Sequence, residues 1–393
     1  MKARLWQDYH RPNLVDEVSR AWNDGELLVM VPPGLKNLSA FEPFLNGTDV
    51  FPEPAIFGIF TSGTVGHKLI FYSRRNIEAS LQGIMSFFDI NSIELIYSYP
   101  QPFHVFGLVL GYLCAQIYGK RLEVPMGPYS KLAHENWLKT VDATTLTLGT
   151  PTHFKDLLAY VTSVNAVPRA SYSAILGGAP VTRQVWLDVQ SNLKVAAPSI
   201  GYGASELSPG ATHLGPGITP LEDFEIGAPL PNVKIEVEPG RGMRVRGENV
   251  CLGLVENGQL RHPSEIWLQD EVRERSEGRL VFCNRTDLIL NRGGEKFSFE
   301  QIERLLKSQL AVEAVGVGVP HGRLGEELGL ILRKSDLAIV SKEAIYECLR
   351  RFYAKDFDPN LCFFIDELPK TASAKIDRRE CLQYIKEQHV SPQ

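Results

Sequence analysis

The stretch TSGTVGHK, residues 61–68, places three hydroxyls, two glycines and one lysine in eight consecutive positions. The apolar runs AIFGIF (55–60) and LIFY (69–72) flank it, and their β-branched and aromatic residues predict two strands. A loop of this composition can turn N–H and O–H donors toward an anion such as a triphosphate, while a lysine adds positive charge. A turn without a ligand is the alternative. A P-loop is excluded, because Thr64 stands where G-x-x-x-x-G-K requires lysine and a strand follows where a helix is needed.

The bulk composition predicts a soluble globular protein. Of 393 residues, 44% are hydrophobic and 22% charged, and a net charge of -5 argues against a nucleic-acid surface. No apolar run reaches the ~18 residues of a membrane span, and residues 1–18 lack the apolar core of a signal peptide. The six cysteines are scattered, which is typical of reduced thiols in a cytoplasmic protein.

The chain is predicted to be an α/β protein in two parts. Strand-like and helical segments alternate through the first two hundred residues, which implies mostly parallel sheets covered by helices. We expect a large N-terminal domain over 1–285, with a β-rich subdomain at about 226–280 where short strands follow one another. A small, mobile α+β domain is expected over 286–393, with a helix at Phe299–Leu310.

Further motifs follow the opening stretch in a fixed order. They are PFHVFG (102–107), GGAP (177–180), GYGASE (201–206), RVRG (244–247), Asp270, RTD (285–287), GGEK (293–296) and PKTASAKIDR (369–378). This series, over about residues 55–380, resembles the adenylate-forming superfamily of acyl-CoA synthetases, adenylation domains and luciferases. The resemblance implies activation of a carboxylic acid by ATP and Mg²⁺, followed by transfer of the acyl group to a thiol.

The resemblance assigns most of these residues to ATP. The residues implied to hold the β- and γ-phosphates are Thr61, Ser62, Gly63, Thr64 and Lys68. Those implied to form the adenine slot are Gly177, Gly178, Ala179, Tyr202 and Gly203, with the tyrosine stacking on the base. Ser205 is implied to contact the α-phosphate, Glu206 to hold Mg²⁺, and Asp270 with Arg285 to bind the ribose. The chain departs from the pattern at Val65, at a proline missing before Lys68, and at Leu268-Gln269 before Asp270, which ends the strand-like IWLQD.

Three residues have a catalytic or mechanical role by resemblance. Lys375 is implied to be the lysine that reaches the reacting carboxylate and α-phosphate, although Ala374 replaces the usual glycine before it. His104 is implied to border the acyl pocket, and a buried structural histidine is the alternative. Asp287 is implied to be the hinge between the two domains, with a capping aspartate as the alternative.

The thiol and the acid are less closely specified. The segment beginning at Gly293 and Gly294 is similar to that of acyl- and aryl-CoA ligases, which favours coenzyme A over the phosphopantetheine of an acyl carrier protein. The early position of residues 61–68 implies a shortened N-terminal subdomain, as in some o-succinylbenzoate-CoA ligases, and hence an aryl or small acyl acid. A degenerate nucleotide-binding protein without turnover stays open, as does a homodimer.

Overall fold

The protein was analysed as a computed structural model. It describes residues 3–7, 13–32, 35, 37–46, 51–63, 66–125, 131–238, 241–285, 288–292, 295–321, 323–353, 355–370 and 376–388. The described residues form two compact units. The first comprises those of 1–238, 243–268 and 272–283, and the second those of 239–242, 269–271 and 284–393. Within these ranges no helix is long and apolar enough to cross a membrane.

Eighteen strands are described up to residue 285. They are β1 (Arg4–Trp6), β2 (Leu28–Met30), β3 (Ala55–Gly63), β4 (Gly66–Ser73), β5 (Leu95–Ser98), β6 (Arg121–Glu123), β7 (Thr145–Gly149), β8 (Ser171–Gly177), β9 (Val195–Gly203), β10 (Gly210–Leu214), β11 (Glu225–Pro229), β12 (Val233–Glu238), β13 (Gly242–Gly247), β14 (Gly253–Glu256), β15 (Gln259–Arg261), β16 (Ile266–Leu268), β17 (Asp270–Glu274) and β18 (Leu280–Arg285). From β11 to β18 no α-helix intervenes among the described residues.

Helices alternate with many of these strands as far as Ser191. They are α1 (Leu14–Asp24), α2 (Glu42–Asn46), α3 (Arg74–Met85), a π-helix (Phe106–Leu113), α4 (Cys114–Tyr118), α5 (Lys131–Thr140), α6 (Pro151–Ser163) and α7 (Arg183–Ser191). The buried helix predicted at 106–118 is confirmed, but its first half has the wider π-helical turn, a geometry often found at functional sites. Short 3₁₀ turns include Ser39–Phe41, Ile90–Ser92 and Ser205–Leu207.

Two large sheets organise the first unit. The nine-stranded sheet has the order β17-β18-β11-β10-β9-β8-β7-β5-β6, in which the neighbours from β9 to β6 are parallel and β9, β10 and β11 are antiparallel. The six-stranded sheet has the order β1-β2-β3-β4-β14-β15 and is antiparallel from β3 onward. A three-stranded sheet joins β12, β13 and β16. The predicted α/β class with parallel-containing sheets and helices is therefore confirmed.

Apolar side chains fill both faces of the nine-stranded sheet. One core cluster contains a fully buried aromatic residue from each of α5, α6 and α7, namely Trp137, Phe154 and Trp186. The π-helix and α3 contribute Leu108 and Ile84 to a second cluster. Because parallel strands must be covered on both sides, this burial holds the carboxyl ends of β8 and β9 in fixed register.

The second unit is built on a five-stranded sheet. Its elements are β19 (Ile289–Arg292), β20 (Glu295–Ser298), α8 (Phe299–Leu310), β21 (Val315–His321), β22 (Gly325–Arg333), α9 (Lys342–Tyr353), β23 (Cys362–Ile365) and α10 (Arg378–Gln388). Along β22, Leu328 and Leu330 enter the core under α8 and α9, while Ile331 enters the core under α10, as strand alternation requires. The helix predicted at Phe299–Leu310 is confirmed, and Ser298 caps it by accepting a hydrogen bond from the N–H of Gln301.

Candidate functional site

The hydroxyl-rich stretch is a hairpin rather than an open loop. Strands β3 and β4 pair through it, with Thr61 opposite Lys68 and Gly63 opposite Gly66. The prediction of an eight-residue loop was therefore wrong, because the pairing of β3 with β4 continues as far as Gly63 and Gly66. Thr61 and Lys68 are each half-buried at its base. Thr64 lies outside the described residues, and the side chain of Ser62 and surroundings of Gly63 are likewise not described.

The second component is the turn that leaves β9. Tyr202 and Gly203 end the strand, and the 3₁₀ turn Ser205–Leu207 carries Glu206. A side chain at Gly203 cannot be accommodated, since a Cβ there would lie 1.5 Å from the carbonyl oxygen of Pro209. The connection between β9 and β10 is therefore tight, and Glu206 lies in it at the end of the sheet.

Two hydrogen bonds to backbone carbonyl oxygens hold this turn in place. The hydroxyl of Tyr72 donates to the carbonyl oxygen of Ser205 at 2.8 Å, and the N–H of Cys251 donates to the carbonyl oxygen of Glu206 at 2.9 Å. Burial, with smaller contributions from Cys251 and Glu206, raises the pKa of Tyr72 well above its usual range. Burial likewise raises the pKa of Cys251. Both groups therefore stay protonated and uncharged beneath the turn.

An ion pair joins the hairpin to the turn that follows β9. The Nζ of Lys68 lies 3.8 Å from Oε1 of Glu206. The same Nζ lies 3.0 Å from Oε1 of Glu256, the last residue of β14. Sequence reasoning missed Glu256, because only the pairing of β14 with β4 brings it beside Lys68. The one local signal was Asn257-Gly258, a dipeptide typical of a hairpin turn.

The glycine-rich turn after β8 lies beside Tyr202. Gly177 pairs with Gly201 on β9, so both turns leave adjacent carboxyl ends of parallel strands, the usual ligand-binding edge of an α/β sheet. A Cβ on Gly177 would meet the Gly201 carbonyl oxygen at 2.8 Å, so only glycine allows this approach. Gly178, at φ 76°, and Ala179 are exposed just beyond it. The structure therefore places Gly177 opposite the residue that precedes Tyr202, and the adenine-slot role of these residues stays a prediction.

His104 lies immediately before the π-helix. Its ring packs against Phe103, with ring centroids 4.5 Å apart, and the side chain is half-buried rather than enclosed. Phe106, on the first turn of the same helix, faces Gly177 and comes within 3.5 Å of where a Cβ would lie. This segment therefore borders the glycine-rich turn, and the acyl-pocket role of His104 stays a prediction.

The remaining predicted residues are placed separately or not at all. Asp270 begins β17 and is half-buried, so the prediction that it ends the IWLQD strand was wrong: the first strand stops at Leu268 and a new one starts at Asp270. Arg285 is the last residue of β18, and its side chain is not described. The positions predicted for the hinge, the thiol segment and the catalytic lysine lie outside the described residues: Asp287, Gly293, Gly294 and Lys375.

Comparison with known proteins gives consistent matches. Residues 32–253 match the profile of a family described as AMP-binding enzyme. The chain is 29% identical over 347 residues to the acyl-CoA ligase cnsG of Penicillium expansum, covering 81% of this chain and 72% of that protein. It is 26% identical over 405 residues to a long-chain-fatty-acid–CoA ligase of Escherichia coli O157:H7, covering 96% and 67%.

Solved structures show the same fold. The o-succinylbenzoate CoA synthetase MenE of Bacillus subtilis, in complex with its acyl-adenylate intermediate, superposes with a TM-score of 0.75 at 19% identity, covering 97% of this chain and 87% of that one. ATP-bound MatB of Rhodopseudomonas palustris gives 0.70 at 17% identity, covering 96% and 82%.

Proposed function

Because this chain belongs to the AMP-binding enzyme family, we propose that it is an acid–thiol ligase that joins a carboxylic acid to coenzyme A, using ATP and releasing AMP and pyrophosphate. The observation that carries the proposal is the meeting of Lys68 and Glu206, whose Nζ and Oε1 lie 3.8 Å apart. A cation for phosphate oxygens beside a carboxylate for a hard metal ion is the pair that a metal–triphosphate complex needs.

In the first step a carboxylate oxygen of the acid attacks the α-phosphorus of ATP. The bond from that phosphorus to the bridging oxygen breaks, pyrophosphate leaves, and an acyl-adenylate remains. The protein positions the reactants and neutralises charge. Lys68 and Thr61 bind the β- and γ-phosphates, Ser205 contacts the α-phosphate, and Tyr202 stacks on adenine above the glycine-rich turn.

Glu206 fits the role of the magnesium ligand. It is a partly exposed carboxylate at 20% side-chain accessibility, and Mg²⁺ takes few protein ligands beside substrate phosphates and water. When bound, the ion supplies positive charge to the phosphate oxygens.

In the second step the thiol sulfur attacks the acyl carbon. The C–O bond to AMP breaks, AMP leaves, and the thiol proton passes to solvent. The roles of Asp270 and Arg285 at the ribose, Lys375 in adenylation, Gly293 and Gly294 in the thiol segment, and Asp287 as the hinge form part of this proposal.

Coenzyme A is the favoured acceptor because the similar proteins include CoA ligases from a fungus and a bacterium. An aryl or small acyl acid is the favoured substrate. Phe106 brings an aromatic ring within 3.5 Å of the position that a Cβ on Gly177 would take, and we propose that it lines the site at this edge of the sheet.

The experiment is acid-dependent exchange of labelled pyrophosphate into ATP, with a panel of aryl, small acyl and long-chain acids that includes o-succinylbenzoate. We expect exchange with at least one acid, and its loss in Glu206→Gln. A folded protein that binds ATP and yet gives no exchange with any acid contradicts the proposal. Coenzyme A and a holo-carrier protein are then compared as acceptors, and acylation of the carrier alone would replace coenzyme A.

A further inference from the structure

Four side chains of alternating charge run in a row across the first unit. The Nζ of Lys68 lies between Oε1 of Glu206 at 3.8 Å and Oε1 of Glu256 at 3.0 Å. Nη2 of Arg261 donates to the other oxygen of Glu256 at 2.5 Å. Glu256 therefore has two cationic partners, one of which the proposed function assigns to the triphosphate.

The sheet fixes the position of Glu256. Strand β14 pairs antiparallel with β4, with Val255 opposite Leu69, so Glu256 lies opposite Lys68. The connection to β15 is Asn257-Gly258, with φ values of 52° and 73°. Two consecutive left-handed residues are the mark of a type I′ hairpin, whose twist matches that of its strands. The carboxylate is thus carried on a short, well-defined hairpin, whereas Lys68 has a flexible four-carbon stem.

We propose that Glu256 is a positioning residue that competes with the triphosphate for Lys68. In the nucleotide-free protein Glu256 holds the ammonium group; when nucleotide binds, Lys68 turns to the phosphates and Arg261 keeps the carboxylate paired. This inference rests on the proposed function, since it needs a nucleotide beside Lys68.

The charges determine the direction of the effect. A phosphate oxygen in contact with Lys68 lies close to Glu256 as well, and two negative charges several ångströms apart repel. Glu256 therefore weakens binding of both ATP and pyrophosphate, which helps the first product to leave. Arg261 limits this repulsion, because it neutralises Glu256 and remains its ionic partner when Lys68 turns to the phosphates.

Binding of MgATP and magnesium pyrophosphate, measured by calorimetry on the full chain, tests the inference. Glu256→Gln keeps the side-chain shape, and we expect the dissociation constants of MgATP and of magnesium pyrophosphate each to fall by about tenfold. Arg261→Gln should raise them by about threefold. Glu248→Gln is the matched control: it removes one charge from the exposed pair with Arg75, at 2.6 Å, and should change neither constant.

Salt provides a readout that a purely structural role would not give. Lys68 and Glu256 are both partly exposed, so salt screens their charges. The ratio of the wild-type dissociation constant to that of Glu256→Gln should therefore fall toward one as salt rises from about 0.05 to about 0.5 M. Unchanged or weaker binding by Glu256→Gln, with wild type binding normally, overturns the inference alone. Absence of ATP binding by the wild type overturns the proposed function and the inference together. Should Glu256→Gln not fold, Arg261→Gln decides, and unchanged or tighter binding overturns the inference.

Discussion

Glu206 owes its position to groups that are not themselves charged. Tyr72 and Cys251 lie buried under the Ser205–Leu207 turn, and each satisfies one of its carbonyl oxygens. Burial raises the pKa of the Tyr72 hydroxyl and of the Cys251 thiol, so neither side chain adds a negative charge beneath the turn. A negative charge beneath Glu206 would oppose its proposed part in binding a metal–triphosphate complex.

Tyr72→Phe tests this support. The change removes the hydroxyl that donates to the carbonyl oxygen of Ser205 and leaves that oxygen without its partner. We expect the free energy of unfolding to fall by about 1–2 kcal/mol. Urea denaturation measures the change, and pyrophosphate exchange should fall with it because the turn is loosened. Stability and exchange equal to those of the wild type would show that the bond is dispensable.

His213 predicts how stability depends on pH. It is fully enclosed on β10 between Phe87 and Phe88, and neither ring nitrogen has a hydrogen-bond partner among the described residues. Burial lowers its pKa from 6.5 to about 3. The unfolded chain therefore binds a proton first, so the contribution of His213 is complete above pH 6.5 and is lost as pH falls toward 3.

His213→Phe should flatten this dependence. The free energy of unfolding of the wild type should fall between pH 6.5 and pH 4 by up to ~1.4 kcal/mol per pH unit more than that of the variant. Urea denaturation over a pH series measures it. Phe88→Leu is the control, because it alters packing on the same ring without removing the titrating group. Equal slopes for wild type and His213→Phe would contradict the assignment.

The connection from β9 to β10 is the element on which the site depends most. Gly203→Ala would place a Cβ 1.5 Å from the Pro209 carbonyl oxygen, so the backbone must move. We expect a loss of about 3 kcal/mol or more in the free energy of unfolding, together with loss of exchange activity. Gly25→Ala provides the control: at φ 71° its Cβ would meet no atom within 4 Å, and only about 1 kcal/mol should be lost. Similar losses in both variants would refute the steric argument.

Local patterns predicted the elements whose structure is decided locally. The helix Phe299–Leu310 follows from apolar residues at helical spacing, and Phe299, Ile302 and Leu306 are indeed buried. Helix α5 was not predicted, because its buried face includes His134 beside Ala133 and Trp137 and so shows little periodicity.

Features set by distant pairing could not be read locally. The extension of β3 and β4 through residues 61–68 depends on their mutual register, and the contact of Lys68 with Glu256 depends on β14 joining β4. Asp270 was attached to the preceding strand, because no glycine or proline marks the break at Gln269. The order of the motifs compensated in part, since it assigned Lys68 and Glu206 to one ATP site and their side chains lie 3.8 Å apart.

At the scale of the whole molecule, we propose that the two units have different tasks in the two half-reactions. Lys375 is assigned to adenylation alone, so a substitution of this residue distinguishes the two half-reactions. Lys375→Ala should lower adenylation by about two to three orders of magnitude, because one preorganised charge is lost at the reacting phosphate. Formation of the thioester from preformed acyl-adenylate should largely survive. Single-turnover assays of each half-reaction measure this, and an equal loss in both would refute the division of labour.

In the proposed reaction the carboxylate of the acid attacks the α-phosphorus of ATP. Mass spectrometry of the products formed from an acid labelled with ¹⁸O in both carboxyl oxygens tests it most directly. We expect AMP that carries one ¹⁸O, with acyl-CoA and unlabelled pyrophosphate as the other products. Label in orthophosphate, with ADP as the nucleotide product, would place the attack on the γ-phosphorus and contradict the proposed reaction.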